Sequence, residues 1–351
     1  MKDLKYLLAF IPMLAVYLGI YLGGYWTFSG VIIAFVFIPL IEQVSTGSTQ
    51  NFLSEEESNL LSIRFFDILL YLNVPLLYGL IIYYFWTISL GQSATYELVG
   101  MTLSVGIICS TCGINVAHEL GHRDNKFEQF LSKVLLLPEF YMHFFIEHNL
   151  GHHKNVATSE DPASSRYGEN IYAFFWRSVS QGYLSAWAIE GKLLKKKQQA
   201  FWGWHNRVLQ FQIIQLIYLA IIGLVFGWQI LPYAITIGII GFLLLEAVNY
   251  IEHYGLERKQ LPSGKYEPVQ PHHSWNSNHP LGRIILYELT RHSDHHFKSN
   301  RKYQILRHFD ESPNLPNGYP AAILTALIPP LWFSSMNPRV KNFAMTMDHL
   351  D

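Results

Sequence analysis

The chain has 351 residues, of which 50% are hydrophobic and 15% are charged, whereas soluble domains carry about 25% charged residues. Its net charge of −1 argues against a nucleic-acid partner, and its two cysteines exclude the disulfide framework of a small secreted protein. The composition therefore predicts an integral membrane protein.

Six apolar stretches are long enough, or nearly so, to cross a bilayer, which requires about 20 residues of helix. They are residues 6–24, 28–44, 68–89, 98–116, 209–226 and 231–250. The first resembles a signal peptide but lacks a small-residue cleavage site, so we expect it to be retained. The second is short and contains Pro39. The sequence thus predicts an all-α integral membrane protein, with six transmembrane helices paired as three hairpins in a single domain of residues 1–351.

The connections within the three predicted hairpins are short and contain neither Lys nor Arg. They are residues 23–27, 91–97 and 227–229, so all 25 basic residues lie outside them. Because positively charged loops favour the cytoplasm, we expect both termini to be cytoplasmic. The long segments 117–208 and 251–351 are expected on the same side.

Nine of the sixteen histidines lie at the edges of the apolar stretches. They are His118, His122, His148, His152, His153, His253, His292, His295 and His296. Two histidines at i, i+4 share a helix face, where both rings can bind one metal ion. In each triplet we expect such a pair at one ion and the third ring turned toward a second. Nine imidazoles exceed the four to six ligands of one ion, so the pattern predicts two metals in a cytoplasmic helical metal-binding cap.

Several acidic residues adjoin these histidines and are candidates to accept the other ring N–H of a ligand, although each is also plausible as a solvated loop charge. They are Glu119, Glu147, Asp161, Glu252 and Asp294. The adjacent His272 and His273 are candidates for contact with a ligand or with substrate. Cys109 and Cys112 lie within an apolar stretch, where we expect small buried helix residues.

Two other functions also place histidines near membrane helices. His-Glu-Leu-Gly-His at 118–122 matches the zincin metalloprotease pattern, but a zincin needs three protein ligands and would leave most of the clustered histidines unused. A divalent-metal transporter would carry its ligands near mid-membrane, whereas these lie at one predicted surface. Both alternatives are weaker than a two-metal enzyme.

At these motifs the chain resembles the bacterial membrane alkane 1-monooxygenases, which are related to xylene monooxygenase and to membrane fatty-acid desaturases. The resemblance rests on Phe-Phe-Ile-Glu-His-Asn-Leu-Gly-His-His at 144–153, Asn-Tyr-Ile-Glu-His-Tyr-Gly-Leu at 249–256 and Arg-His-Ser-Asp-His-His at 291–296. Thr290 stands where the family usually has glutamine. The resemblance implies a non-haem di-iron centre that uses O2 to hydroxylate the terminal methyl of medium- to long-chain n-alkanes to 1-alkanols. An alkylbenzene methyl monooxygenase or an acyl-lipid desaturase remains an alternative.

The resemblance also implies partners and a location. Electrons would come from a rubredoxin reductase through rubredoxin, which must be a separate protein because the only Cys-x-x-Cys lies within a span. Lys195–Lys197, or Arg301 with Lys302, are candidates for docking an acidic donor. The alkane would arrive from the lipid bilayer of the bacterial inner membrane. Ala34 in the second span is a candidate to leave room for a longer chain, although simple variation at a lipid-facing position explains it equally well.

Overall fold

The computed structural model describes residues 2–348 and is helical throughout. Within this part of the chain there is no β-strand, and the only β-bridges are Gln260 with Tyr266 and Asn276 with Asn314. Six helices of the described residues are long and apolar enough to cross a membrane. The predicted all-α fold with six spans is therefore confirmed.

In the described residues, fourteen helices form the spans and the segments that cover them. They are α1 (Asp3–Leu22), α2 (Gly24–Val44), α3 (Ser54–Ser62), α4 (Phe65–Ser89), α5 (Thr95–Gly121), α6 (Lys126–Leu135), α7 (144–155), α8 (Ile171–Lys196), α9 (Arg207–Phe226), α10 (Trp228–His253), α11 (Pro280–Ile285), α12 (His292–Phe297), α13 (Tyr319–Ala326) and α14 (Pro329–Asp348). The six candidate spans are α1, α2, α4, α5, α9 and α10.

The spans form the three predicted hairpins, α1–α2, α4–α5 and α9–α10, because their connections are very short. Gly23 separates α1 from α2 with φ +67°, and Gly227 separates α9 from α10 with φ +98°. Glycine adopts these positive φ values without the steric cost that a Cβ atom imposes. The glycines thus allow each chain reversal within a single residue.

The fourth and sixth spans continue beyond the predicted apolar limits. Helix α5 extends to Gly121 and α10 extends to His253, so each span carries a clustered histidine on an unbroken helix. The two helices pack closely, because a Cβ at Gly106 of α5 would lie 2.7 Å from the Cβ of Ile240 in α10. In α5, 78% of the apolar window is buried, against 22% in α2. Helix α5 is therefore central, and α2 is largely exposed to the surroundings of the protein.

Three helices contain a π-helical turn, in which the backbone bond joins residues i and i+5 and which often marks a functional site. The turns are Ile33–Phe37 in α2, Cys109–Ile114 in α5 and His148–His152 in α7. Cys109 and Cys112 are free thiols buried within the second turn. This burial confirms that they are small interior residues.

The remaining helices cover one end of the spans. Helix α8 exposes large side chains such as Trp176, which is 82% exposed. Its opposite face is tied to the core, because Ser185 donates a hydrogen bond to Glu147. Trp275, in the segment before α11, donates its backbone N–H to the carbonyl of Glu252 at 2.7 Å. These contacts close a helical cap over the ends of α5 and α10.

Candidate metal centre

The nine predicted histidines converge in two adjacent groups. The five-histidine group consists of His118, His122, His148, His153 and His295, and the four-histidine group consists of His152, His253, His292 and His296. Within each group, one ring nitrogen per residue lies within 4.8 Å of those of all the others. Helices α7 and α12 each contribute to both groups, while α5 ends at the first and α10 ends at the second.

The assignment within the first triplet differs from the expected i, i+4 pairing. His148 and His153 share the five-histidine group with their Nε2 atoms 3.0 Å apart, whereas His152 faces His296 in the other group at 3.2 Å. The π-helical turn His148–His152 brings residues i and i+5 onto one face, which an α-helix would not do. The pairing predicted for this triplet was therefore wrong.

The second triplet follows the expected pattern. His292 and His296, at i and i+4 on α12, share the four-histidine group. The intervening His295 turns to the five-histidine group. A regular α-helical turn is sufficient here, because its i and i+4 side chains lie on the same face.

The spacing of ring nitrogens fits a bound cation. The Nε2 atom of His148 lies 3.0 Å from the Nε2 atoms of both His122 and His153. Ligands at right angles around a metal with bonds of about 2.1 Å would have this separation. Nε2 of His118 and both ring nitrogens of His295 are buried without a hydrogen-bond partner. Buried polar atoms normally have partners, and a metal ion would satisfy them.

Burial keeps most of these imidazoles neutral, which is the form that binds metal. In the five-histidine group it lowers the pKa of His122 to about 3, with further lowering from His152 and Arg123. In several other rings, burial is the largest cause and the neighbouring imidazoles a smaller one that hold the pKa well below the usual range of histidine. These are His148, His153, His292, His295 and His296.

One carboxylate orients a ring of the four-histidine group. Asp161 lies 2.8 Å from Nδ1 of His152 and accepts a hydrogen bond from Ser164 at 2.6 Å. Burial opposes protonation of His152, but the charge and hydrogen bond of Asp161 act against burial, and the pKa of the ring is raised. His152 in turn lowers the pKa of Asp161, against the effect of burial. With Nδ1 occupied, Nε2 faces the other ligands, as a neighbouring carboxylate typically arranges.

Two of the other acids pair with arginine rather than with imidazole. Glu119 accepts a hydrogen bond from Arg123 at 2.6 Å, and Asp294 accepts one from Arg307 at 2.8 Å. Both acids are buried, so the arginines supply the opposite charge that a buried carboxylate requires. The pair with Arg307 links α12 to the segment that follows it, whereas Glu119 and Arg123 form a local i, i+4 pair at the end of α5. Neither pair has the orienting role expected from the sequence.

The remaining two acids lie on different sides of the centre. Glu252 places Oε2 at 3.2 Å from Nε2 of His292, while its Oε1 accepts a hydrogen bond from the Tyr319 hydroxyl at 2.6 Å. Glu147 accepts a weaker hydrogen bond from Ser185 at 3.3 Å. Tyr319 was not identified from the sequence, because it reaches the site from a helix beyond the last histidine cluster.

His273 has its ring nitrogens engaged elsewhere. Its Nδ1 accepts the backbone N–H of Gln270 at 2.9 Å, and its Nε2 lies 3.3 Å from Glu267. A neutral ring that accepts at Nδ1 carries its proton on Nε2, so it has no lone pair left for a metal. Although His272 and Glu267 lie close by, this hydrogen bonding favours a structural role for His273, in the turn that precedes Trp275.

An apolar cavity of about 100 Å³ adjoins both histidine groups. Its lining includes His118, His148 and His292, together with Ala34 of α2 and Ile323 of α13. All three π-helical turns of the described residues contribute lining residues. The cavity therefore connects the histidine groups with the apolar helices.

Comparison with known proteins assigns the chain to a family. The fatty acid desaturase family profile matches residues 94–323. The alkane 1-monooxygenase of Pseudomonas putida is 39% identical over 93% of this chain and 82% of its own length, and that of Acinetobacter baylyi is 40% identical over 89% and 76%. The hydroxylase component of the xylene/toluene monooxygenase of Pseudomonas putida is 27% identical over 98% and 90%. The chain, a multi-pass membrane protein with clustered histidines, therefore belongs to the fatty acid desaturase family and, within it, to the alkane 1-monooxygenase enzymes.

Proposed function

We propose that the protein is a non-haem di-iron monooxygenase that converts medium- to long-chain n-alkanes to 1-alkanols with O2 and electrons from rubredoxin. The observation that carries the proposal is the junction of two histidine groups with an apolar cavity. A cavity of this kind suits a substrate without polar groups, and three of the proposed ligands line it.

The five-histidine and four-histidine groups would each hold one iron ion. Imidazole is a suitable ligand for iron, and zinc is redox-inactive. When bound, the two irons supply the redox chemistry that activates O2 for insertion into an unactivated C–H bond. The reaction balances as RH + O2 + 2 e⁻ + 2 H⁺ → ROH + H2O.

The side chains of the cavity would position the alkane. Ala34 and Phe35 of α2, Leu244 and Val248 of α10, and Ile323 of α13 all line the cavity. Apolar walls favour a hydrocarbon chain over water beside His118, His148 and His292. Because α2 is mostly exposed, entry of the alkane from the bilayer past α2 is the shortest route.

Two relatives of the alkane enzymes define the competing substrates. An alkylbenzene methyl group would need a wider cavity near the histidines, and an acyl lipid would need a polar site for its head group. The greater identity to alkane 1-monooxygenases, 39% against 27% for the xylene/toluene hydroxylase component, supports the alkane.

A separate rubredoxin would deliver the electrons. His122 and His153 are half-buried whereas the other proposed ligands are buried, so the five-histidine group lies nearest to the surface. Lys195–Lys197 are exposed and available to an acidic donor. Arg301 and Lys302 are less suitable than expected, because acidic side chains of this chain already hold them. Charge complementarity of this kind steers weak electron-transfer encounters.

Metal analysis and product analysis together test the proposal. The purified full-length protein should contain two irons per chain, and His292→Ala should lower that content whereas His205→Ala, at an exposed histidine outside both groups, should not. With ¹⁸O2, reduced rubredoxin and an n-alkane, the primary alcohol should carry ¹⁸O.

Three outcomes would contradict this function. Stoichiometric zinc without iron in active protein would exclude the di-iron centre. An alkene as the main product would indicate a desaturase, and a strong preference for alkylbenzenes over n-alkanes would indicate the alternative hydroxylase.

A further inference from the structure

Glu252, at the end of α10, lies directly beside the four-histidine group. Its side chain is 3% exposed. Oε2 lies 3.2 Å from Nε2 of His292, and Oε1 accepts the Tyr319 hydroxyl at 2.6 Å. The tyrosine therefore holds the carboxylate with one oxygen directed at the histidines.

The position of Glu252 differs from that of an orienting carboxylate. Asp161 contacts Nδ1 of His152, the outward nitrogen of a ring whose Nε2 faces the other ligands. Glu252 instead contacts Nε2 of His292. This Nε2 atom of His292 lies 3.3 Å from Nε2 of His253. A carboxylate that orients a ligand occupies the ring nitrogen turned away from the metal. Glu252 thus lies on the inward side of the ring, where ligands bind.

An ionised Glu252 would also need a nearby cation. A buried carboxylate is normally paired with a cation or coordinates a metal. Glu119 and Asp294 have Arg123 and Arg307 as partners. The contacts of Glu252 are a tyrosine hydroxyl and an imidazole, so a metal within the four-histidine group would supply its opposite charge.

We propose that Glu252 is a tenth protein ligand, which binds the metal of the four-histidine group through Oε2, and that Tyr319 is its positioning residue. The inference rests on the proposed metal centre. It gives both groups five protein donors, which leaves one further position at a six-coordinate ion. Glu252 and Tyr319 also line the apolar cavity, so this ligand lies between the metal and the substrate.

Iron binding by Glu252→Gln tests the proposal, with Asp161→Asn as the matched control for loss of an orienting carboxylate. Each full-length protein is stripped of metal in detergent and titrated anaerobically with ⁵⁷Fe²⁺. For Glu252→Gln we expect one iron to bind as in the wild type and the second to bind more than ~100-fold more weakly, beyond the 10–100-fold cost of losing an orienting neighbour. In Mössbauer spectra recorded at saturating iron, only one of the two iron environments should change. Asp161→Asn should retain both iron environments.

Two further variants separate a ligand from a structural residue. Glu252→His supplies a nitrogen ligand for the metal and should restore the second iron. Tyr319→Phe should weaken the second iron less than Glu252→Gln does. The proposal is overturned if Glu252→Gln keeps wild-type spectra, if it loses no more affinity than Asp161→Asn, or if histidine gives no rescue. Absence of iron from the wild type would instead overturn the proposed function.

Discussion

Ala34 is a small apolar residue between larger apolar neighbours in the part of the cavity wall that α2 forms. It lies in the π-helical turn of α2 and lines the cavity with Phe35 and Ile38. Val36, two residues later in sequence than Ala34, does not line the cavity and is 47% exposed. In the proposed reaction, the side chain at position 34 would limit the space for the alkane, whereas the side chain at position 36 lies on the exposed side of α2.

Ala34→Trp should shorten the preferred alkane, because the indole would fill part of the cavity. Forcing bulk into a packed interior costs about 1–3 kcal/mol, so we expect oxidation of the longest substrates to fall by roughly 10-fold or more while short alkanes are spared. Val36→Trp is the control, since its indole would face lipid. The measurement is gas chromatography of the alkanols formed from a mixture of n-alkanes. An unchanged chain-length profile in Ala34→Trp, or the same shift in Val36→Trp, would show that Ala34 does not limit chain length.

Helices α5 and α10 determine the position of the centre, since one ends near His118 and the other at His253. Their contact depends on small residues: Gly106 lies against Ile240, and Gly241 lies against Cys109. Close approach of the two helix backbones is possible only where the side chain is missing. The glycines therefore affect the metal centre indirectly, because they set the separation of the two helices that carry His118 and His253.

Gly106→Ala should destabilise the protein, because the added Cβ would lie 2.7 Å from Cβ and Cγ2 of Ile240, atoms close to the α10 backbone. We expect a loss of about 1–3 kcal/mol in the free energy of unfolding and a lower iron content. Gly182→Ala in α8 is the control: its Cβ would have no heavy atom within 4 Å, and alanine in a helix should be neutral or stabilise by up to about 1 kcal/mol. Thermal unfolding in detergent measures the stability of both variants. Equal melting temperatures for Gly106→Ala and the wild type would refute the close contact.

The sequence was sufficient to predict the spans and which nine histidines converge, because apolar length and histidine spacing are local properties. It was not predictable that His153 rather than His152 would join the group of His148, since a π-helical turn depends on how the α7 segment packs in the folded protein. Of the arginine partners of Glu119 and Asp294, only that of Asp294 could not be inferred from local spacing. Arg123 is close to Glu119 in sequence, but Arg307 lies beyond α12 and reaches Asp294 only through the tertiary fold.

The whole molecule has two chemically different ends. At one end lie the hairpin connections around Gly23, 90–94 and Gly227, which contain no lysine or arginine. At the other end lie the histidine groups, α8 and the cap, together with the charged pairs. Positively charged segments favour the cytoplasm, so this asymmetry supports a cytoplasmic metal centre, within reach of a cytoplasmic electron donor and of reducing equivalents.

Cysteine labelling would test that orientation, because the chain offers a nearly unreactive background. Cys109 and Cys112 are buried within α5 and should not react with a membrane-impermeant maleimide. Gln92→Cys, in the exposed α4–α5 connection, should react in cells whose outer membrane has been permeabilised, because we expect this loop to face the periplasm. Lys196→Cys, exposed at the end of α8, should react only after the inner membrane is opened or in inverted vesicles. Labelling of Lys196→Cys but not Gln92→Cys in cells with a sealed inner membrane would reverse the orientation. The metal centre would then face the periplasm, and electron supply from a cytoplasmic rubredoxin would be impossible.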